Sequence, residues 1–237
     1  MTTIFALLAL GTAPIQDPGI DDIVSKGFRD ASFVARVQTG VQRELAKINK
    51  DFAQSYRFKW TKVQVKEPFK LRLESTVDDT DITFVLNGAT RLVRIPKARL
   101  NQRENLAMSP GKRQTLVDFG MLTPSLFVDL FDAKYVRTDR RTGELVFDLT
   151  YKPKLDDTSR SRVWVDPAKR YVTKREWYNQ KDVQLATFTY ENPVQSGGVW
   201  FPTKLTVRNV ENKVAGVTQY EDLKLNAGIA DSVFSVN

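Results

Sequence analysis

The sequence predicts a mainly antiparallel β fold (α+β) of about ten or eleven strands, with a helix near the N-terminus and helices in mid-chain. Three observations carry this. From Tyr56 onward apolar residues recur at every second position: Phe58 and Trp60, then Phe69, Leu71 and Leu73, then Ile82, Phe84 and Leu86, with charged or polar residues between them. Asn87-Gly88 falls between two such runs and is the strongest hairpin signal in the chain, because both residues tolerate positive φ. The strands do not alternate with helices, which argues against a parallel sheet, and no fixed-period repeat suggests a propeller or solenoid.

Composition narrows the chemistry. The 237 residues carry no linker or shift in composition, so residues 14–237 read as one domain. Hydrophobic content of 41% with 11% aromatics supplies a core. Cysteine is absent, which removes disulfides, thiolate metal sites and thiol nucleophiles, and with them lipid modification of an N-terminal cysteine. Histidine is absent too, so His-based triads, His-bound zinc and the commonest general base near neutrality all go with it. No phosphate-binding loop or nucleophile elbow is present. The sequence therefore reads as a non-enzyme without cofactor or metal. The net charge of +8 attracts anionic surfaces, or serves solubility alone.

Taken in order, Met1 to Ala13 reads as a secretory signal peptide, with Ile4 to Leu10 as its apolar core and Gly11-Thr12-Ala13 as small residues for cleavage. A buried N-terminal strand is the competing reading. Asp17-Pro18 then opens a long amphipathic helix in which Ile20, Ile23, Val24, Phe28, Ala31, Val34, Val37, Val41, Leu45, Ile48 and Phe52 recur at three- and four-residue steps. Gly27 and Gly40 divide it. Its apolar stripe packs on the core, since the mixed charge of the other face does not suit a membrane surface.

The strands follow, with a turn at Glu67-Pro68, the Asn87-Gly88 hairpin and a stop at Pro96. Then the alternation breaks. Arg91, Arg94, Lys97, Arg99, Arg103, Lys112 and Arg113 crowd one stretch, opposed only by Glu104. Ser109-Pro110 and Thr123-Pro124 start two short helices carrying Leu116, Val117, Phe119, Met121 and Leu122, then Leu126, Phe127, Leu130 and Phe131. These helices either plug a β core, with the charges as a solvated rim, or form a movable lid over an apolar cavity. Strands resume at Tyr135 to Thr138 and Leu145 to Tyr151.

The C-terminal third has a recognisable order. Val163-Trp164-Val165 leads into the turn Asp166-Pro167-Ala168-Lys169, and a polar turn follows at Asn179 to Asp182. After the break Ser196-Gly197-Gly198 comes the strand Val199 to Val207 with Trp200-Phe201-Pro202, and the chain closes on Asn226, Asp231 and Phe234. This order resembles the outer-membrane lipoprotein carrier and sorting proteins, the LolA-like superfamily. The resemblance implies an incomplete antiparallel barrel whose concave face is covered by helices, and it turns the mid-chain helices from plug to lid.

On that resemblance the chain is expected to be a periplasmic, exported carrier, a monomer that holds acyl chains of lipoproteins or other lipids without covalent chemistry. It would shuttle them from an inner-membrane donor to an outer-membrane acceptor protein, with transient contact to anionic membrane surfaces. The cavity residues are then Phe58, Trp60, Leu71, Leu73, Phe84 and Phe147, the lid residues Leu116, Phe119 and Met121, and the basic rim Arg91, Arg94, Arg99, Arg103, Lys112 and Arg113. Ordinary core packing accounts for the apolar ones equally well residue by residue. The alternative function is a sensor or interaction module on the same scaffold that binds a partner protein or lipid for regulation. Nucleic acid is an unsuitable partner, because residues 91–113 interleave no aromatic with their basic residues.

Overall fold

The computed structural model describes residues 17–236. The signal-peptide expectation for residues 1–13 lies outside them. Fifteen strands are present among the described residues, and thirteen belong to one antiparallel sheet, larger than the sequence predicted. In chain order they are β1 (Asp30–Gly40), β2 (Trp60–Lys66), β3 (Lys70–Val77), β4 (Thr80–Asn87), β5 (Thr90–Ile95), β6 (Leu100–Asn105), β7 (Phe131–Thr138), β8 (Leu145–Tyr151), β9 (Arg160–Val165), β10 (Val172–Tyr178), β11 (Gln184–Glu191), β12 (Val194–Ser196), β13 (Val199–Phe201), β14 (Lys204–Asn209) and β15 (Val214–Leu225). The large sheet runs β6-β5-β4-β3-β2-β1-β15-β14-β11-β10-β9-β8-β7, with β12 and β13 as a separate ribbon. Its two edges, β6 and β7, are consecutive in the chain, and the residues between them leave the sheet.

One expectation fails at the start of the chain. The long helix is replaced by a short 3-10 turn (Ile20–Asp22), the strand β1, and two short helices, α1 (Gln42–Ile48) and α2 (Lys50–Ser55). Ala31, Val34 and Val37 satisfy a helical period, yet Phe33, which lies off that stripe, is buried on the same face as Ala31. β1 sits mid-sheet between β2 and β15, with ladder partners on both sides, and this outweighs helix propensity. α2 starts at Asn49, whose side-chain oxygen accepts from the backbone N–H groups of Asp51 and Phe52 at 2.8 and 3.0 Å.

The hairpin between β4 and β5 forms one residue later than the sequence suggested. Asn87 pairs with Thr90, so the loop is Gly88-Ala89, and Gly88 takes φ +60°. Register shifts in β1–β15, β14–β15, β10–β11, β9–β10 and β7–β8 add local twist and help the sheet curl.

The alternation defines two faces. On the inner face, Phe33, Val63, Leu73 and Phe84 form one cross-strand row, and Ala31, Val65, Leu71 and Leu86 the next. In the other half, Phe147, Val163, Arg175, Phe188 and Val207 line up in the same way. The final segment straps the outer face of β2–β5. Asn226 accepts from the N–H of Arg29 at 2.8 Å and donates to the carbonyl of Gly27 at 2.9 Å, fixing the entry to β1. Asp231 pairs with Lys66 and Lys70 at 2.7 and 3.0 Å, and Phe234 is buried against Val85 and Leu92. The terminal Asn, Asp and Phe thus each have a structural task.

Candidate functional site

The inner face is filled from two sides. α1 and α2 bring Leu45, Ile48, Phe52 and Tyr56 against β11, β14 and β15, with Phe52 edge-on to Phe188 at 6.0 Å. The second filler is the connection from β6 to β7, residues 106–130. It contains two 3-10 turns (Pro110–Lys112 and Leu116–Phe119) and the helix α3 (Pro124–Asp129). Leu116, Val117, Phe119, Met121, Leu122 and Leu126 are all buried. Phe119 meets Phe33 edge-on at 5.5 Å and Tyr220 at 6.2 Å.

Why this segment lies flat on the sheet can be read locally. Gly120 takes φ +79° at the end of the second 3-10 turn and brings the backbone so close that an added Cβ would lie 2.8 Å from the Tyr190 ring. The Tyr190 hydroxyl donates to the carbonyl of Val117 at 3.1 Å. Backbone bonds tie the middle of the segment to its surroundings, from Val172 N–H to Gly120 and from Ser25 N–H to Leu122, both 2.8 Å, and others hold its ends, from Leu106 N–H to Ala89 at 2.7 Å and from Lys152 N–H to Leu130 at 2.8 Å. Glu67, in the β2–β3 turn, accepts from Thr123 Oγ1 at 2.7 Å and from Ser125 at the start of α3.

The space left beneath is small: about 10 Å³, bounded by residues including Val65, Leu71, Leu116, Phe119 and Leu126, at most about one water. A larger groove of about 680 Å³ lies on the opposite face over β9, β10, β11 and β14. Threonines and charged side chains line it, and Lys174 covers the Trp164 ring at 3.3 Å, so it offers little to an apolar ligand. The apolar site is the plugged inner face.

The residues singled out from sequence scatter more than expected. Leu71 and Phe147 are buried on the inner face; Leu73 and Phe84 are cross-strand neighbours there and only half-buried. Trp60 does not face inward. It begins β2 opposite Arg36, on the outer face and 39% exposed, while Thr61, Val63 and Val65 point in. Phe58 precedes the strand altogether. The alternation seen from Phe58 was off by one because the strand starts later, and burial of Val63 and Val65 sets the face. Leu116, Phe119 and Met121 all sit in the plug.

The basic residues are not gathered on one rim. Arg91 pairs with Glu104 beside Lys112, Arg94 and Arg103 project from the outer face, and Arg99 sits in a left-handed turn at φ +51°. Arg103 bonds the Val236 carbonyl of the terminal strap, and Arg113 is half-buried above Phe69 at 5.0 Å.

Sequence reasoning missed a polar cluster under the plug. Arg175 of β10 is inward-facing and 9% exposed, with Phe188 at 4.3 Å. Its Nη1 donates to Asp118 Oδ1 of the plug at 2.9 Å. Asp118 Oδ2 accepts from Thr115 N–H, also at 2.9 Å. Burial works to lower the pKa of Arg175, and Tyr190 and Asp118 outweigh it, so the guanidinium is held cationic. Burial pushes the Tyr56 hydroxyl up to about 12 and raises those of Tyr151, Tyr190 and Tyr220 as well. A legible signal existed: Arg175 shares its parity in β10 with Trp177, where an apolar residue belongs. Among the described residues no group of three or more acidic side chains is placed to hold a metal ion.

Architecture and plug together define a class, the incomplete antiparallel barrel with a covered inner face, and this is the LolA-like fold. A LolA superfamily protein from Nitrosomonas europaea matches with a TM-score of 0.57 at 18% identity, over 91% of this chain and 93% of that one. A domain assigned by its description to the outer membrane lipoprotein-sorting proteins, from Vibrio parahaemolyticus, matches at 0.56 and 13% identity, over 91% and 92%. At these identities the likeness is one of fold. Residues 114–237 match a family model whose description reads "Uncharacterized protein", and the chain belongs to that family. No curated protein matches it in sequence.

Proposed function

We propose that the protein is a periplasmic carrier that takes acyl chains of lipoproteins or other lipids onto the inner face of the sheet, in place of the plug, and releases them without covalent chemistry. The observation that carries this is the covering itself. A row of apolar side chains on an unclosed sheet is covered by a segment outside the sheet, and Leu73 and Phe84 at the end of the row stay half-buried. An ordinary core closes over such residues; a receiving site leaves them reachable. Each buried methylene of a cargo chain contributes about 0.8 kcal/mol, on the order of 10 kcal/mol for one long chain. That is enough to compete with the plug's own side chains.

The likeness to a lipoprotein-sorting domain supports the same reading. No helix among the described residues is long and apolar enough to cross a membrane. The test is native mass spectrometry of protein from an exporting host, followed by uptake of labelled fatty acid or lipopeptide by delipidated protein. Bound mass matching a lipid supports the carrier; a delipidated protein that takes up neither probe refutes it.

A further inference from the structure

We propose that Arg175 is the head-group site of the cavity, and that the cargo is an anionic amphiphile whose carboxylate or phosphate replaces Asp118 when the plug moves. This rests on the carrier reading above and specifies its substrate class. Arg175 occupies a position that the sheet pattern reserves for an apolar residue, between its cross-strand neighbours Val163 and Phe188. A guanidinium in such surroundings is costly unless paired, and a leucine or methionine there would fill the same space without that cost.

The pairing it has is partial. Asp118 reaches only Nη1, and Nε of Arg175 is buried with no hydrogen-bond partner among the described residues. Arg113, on the same plug segment as Asp118, shows the same feature. Its Nη2 donates to the Gly88 carbonyl at 3.0 Å, while its Nε is buried with no hydrogen-bond partner among the described residues. A terminal carboxylate or phosphate presents two or more acceptor oxygens and matches the fork of an arginine as the single Asp118 contact does not.

Position completes the inference. Asp118 belongs to the plug and Arg175 to the sheet, so any opening that separates plug from sheet strips Arg175 of the one carboxylate it pairs with among the described residues. The cation then stands at the floor of the opened cavity. From it the inner face continues through Val163 to Phe147, on the side away from α1 and α2, an apolar track for the chain behind the head group.

The experiment uses the delipidated full chain and three probes of equal chain length, each below its micellar concentration: hexadecanoate, hexadecyl phosphate and hexadecanol. Both anions are expected to bind about tenfold or more tighter than the alcohol. The tighter of the two distinguishes a carboxylate head from a phosphate. Arg175→Gln is expected to bring the anions to within about threefold of the alcohol. Asp118→Asn, which leaves the arginine in place and removes its competitor, is expected to tighten the anions and not the alcohol, and it decides the matter should Arg175→Gln not fold. Equal binding of all three probes by the unmodified protein overturns the head-group site and leaves the carrier reading standing. So does an anion preference that survives Arg175→Gln, or an anion affinity unmoved in Asp118→Asn. Failure of all three probes to bind overturns both.

Discussion

Replacing Gly120 by alanine is the sharpest way to ask whether residues 106–130 are a gate. The substitution adds one methyl and removes nothing, so its cost falls on the closed state alone. Two contributions are separable. Gly120 has φ +79°, a conformation costing an L-residue about 1–2 kcal/mol. The new Cβ would also lie 2.8 and 2.9 Å from Cδ1 and Cγ of Tyr190 and 3.0 Å from Cγ of Pro202, short of ordinary carbon contact by roughly 0.7 Å. Tyr190 cannot swing away cheaply, being buried and bonded to Val117, so overpacking adds about 1–2 kcal/mol. Together these weaken closure by about 2–4 kcal/mol, roughly thirtyfold to a thousandfold.

Hydrogen exchange reads this directly at Asp118, Gly120 and Met121, whose N–H groups bond within the segment at 3.0–3.1 Å. Their exchange should quicken by that factor, with β1 and β15 remaining the slowest elements, and uptake of a labelled fatty acid should become faster. If the plug amides exchange no faster than those of β1 and β15 in both proteins, the segment opens only with the whole fold and the gate is wrong. Faster exchange with unchanged uptake would equally separate the segment from function.

Other consequences are simpler. Leu73→Glu sets a carboxylate in the half-covered inner row between Val63 and Phe84; lipid uptake should vanish while circular dichroism keeps its strand signal. Phe234→Ala should cost about 3 kcal/mol or more by urea denaturation, since the ring is fully buried on the outer face, and leave uptake unchanged. Acid stability should depend on Glu211, whose hydrogen bonds to Lys47 and Lys213 hold its carboxyl at about 2 instead of 4.5. A depressed carboxylate contributes in full above its unfolded pKa and loses that contribution as pH falls towards the folded one. Glu211→Gln should therefore flatten the loss of stability between about pH 4.5 and 2, and an acid limb identical to that of the unmodified protein would count against the cluster.

Legibility of the fold followed sidedness. β3 and β4 were readable because their inward positions, Leu71, Leu73, Ile82, Phe84 and Leu86, are apolar and most of the positions between them are polar, which imprints a two-residue period on the sequence. β1 was not, because it lies centrally and its Ala31, Val34 and Val37 fit a helical step as well as a strand. β6 was missed for the opposite reason: Leu-Asn-Gln-Arg-Glu-Asn is a polar edge strand with nothing to alternate. Of the candidate site, the apolar plug residues stood out by hydrophobicity alone. The Arg175–Asp118 pair did not, since it joins residues 57 positions apart whose proximity is a product of the topology. A lone arginine at the wrong parity was the one trace left in the chain.

The architecture also says how opening is possible at all. An unclosed sheet of thirteen strands is too broad for its own side chains to fill, so two connections, α1–α2 and the β6–β7 segment, supply the filling. Six buried apolar side chains of the second, from Leu116 to Leu126, contribute roughly 1.5–3 kcal/mol each. One long acyl chain contributes a sum of the same order. On the proposed carrier function, plug and cargo are thus near-equal alternatives for one surface, and transfer would be an exchange of contacts in which neither state is far below the other. Such a balance fails with a plug as tightly sealed as a core, and equally with an empty cavity, which would collapse or aggregate. The polar ties that hold the plug, Glu67 to α3 and Arg175 to Asp118, are the terms left over once the apolar contributions cancel. On the proposed function they would decide which cargo opens it, and an anionic head group that took over one of them would have an advantage that a neutral chain lacks.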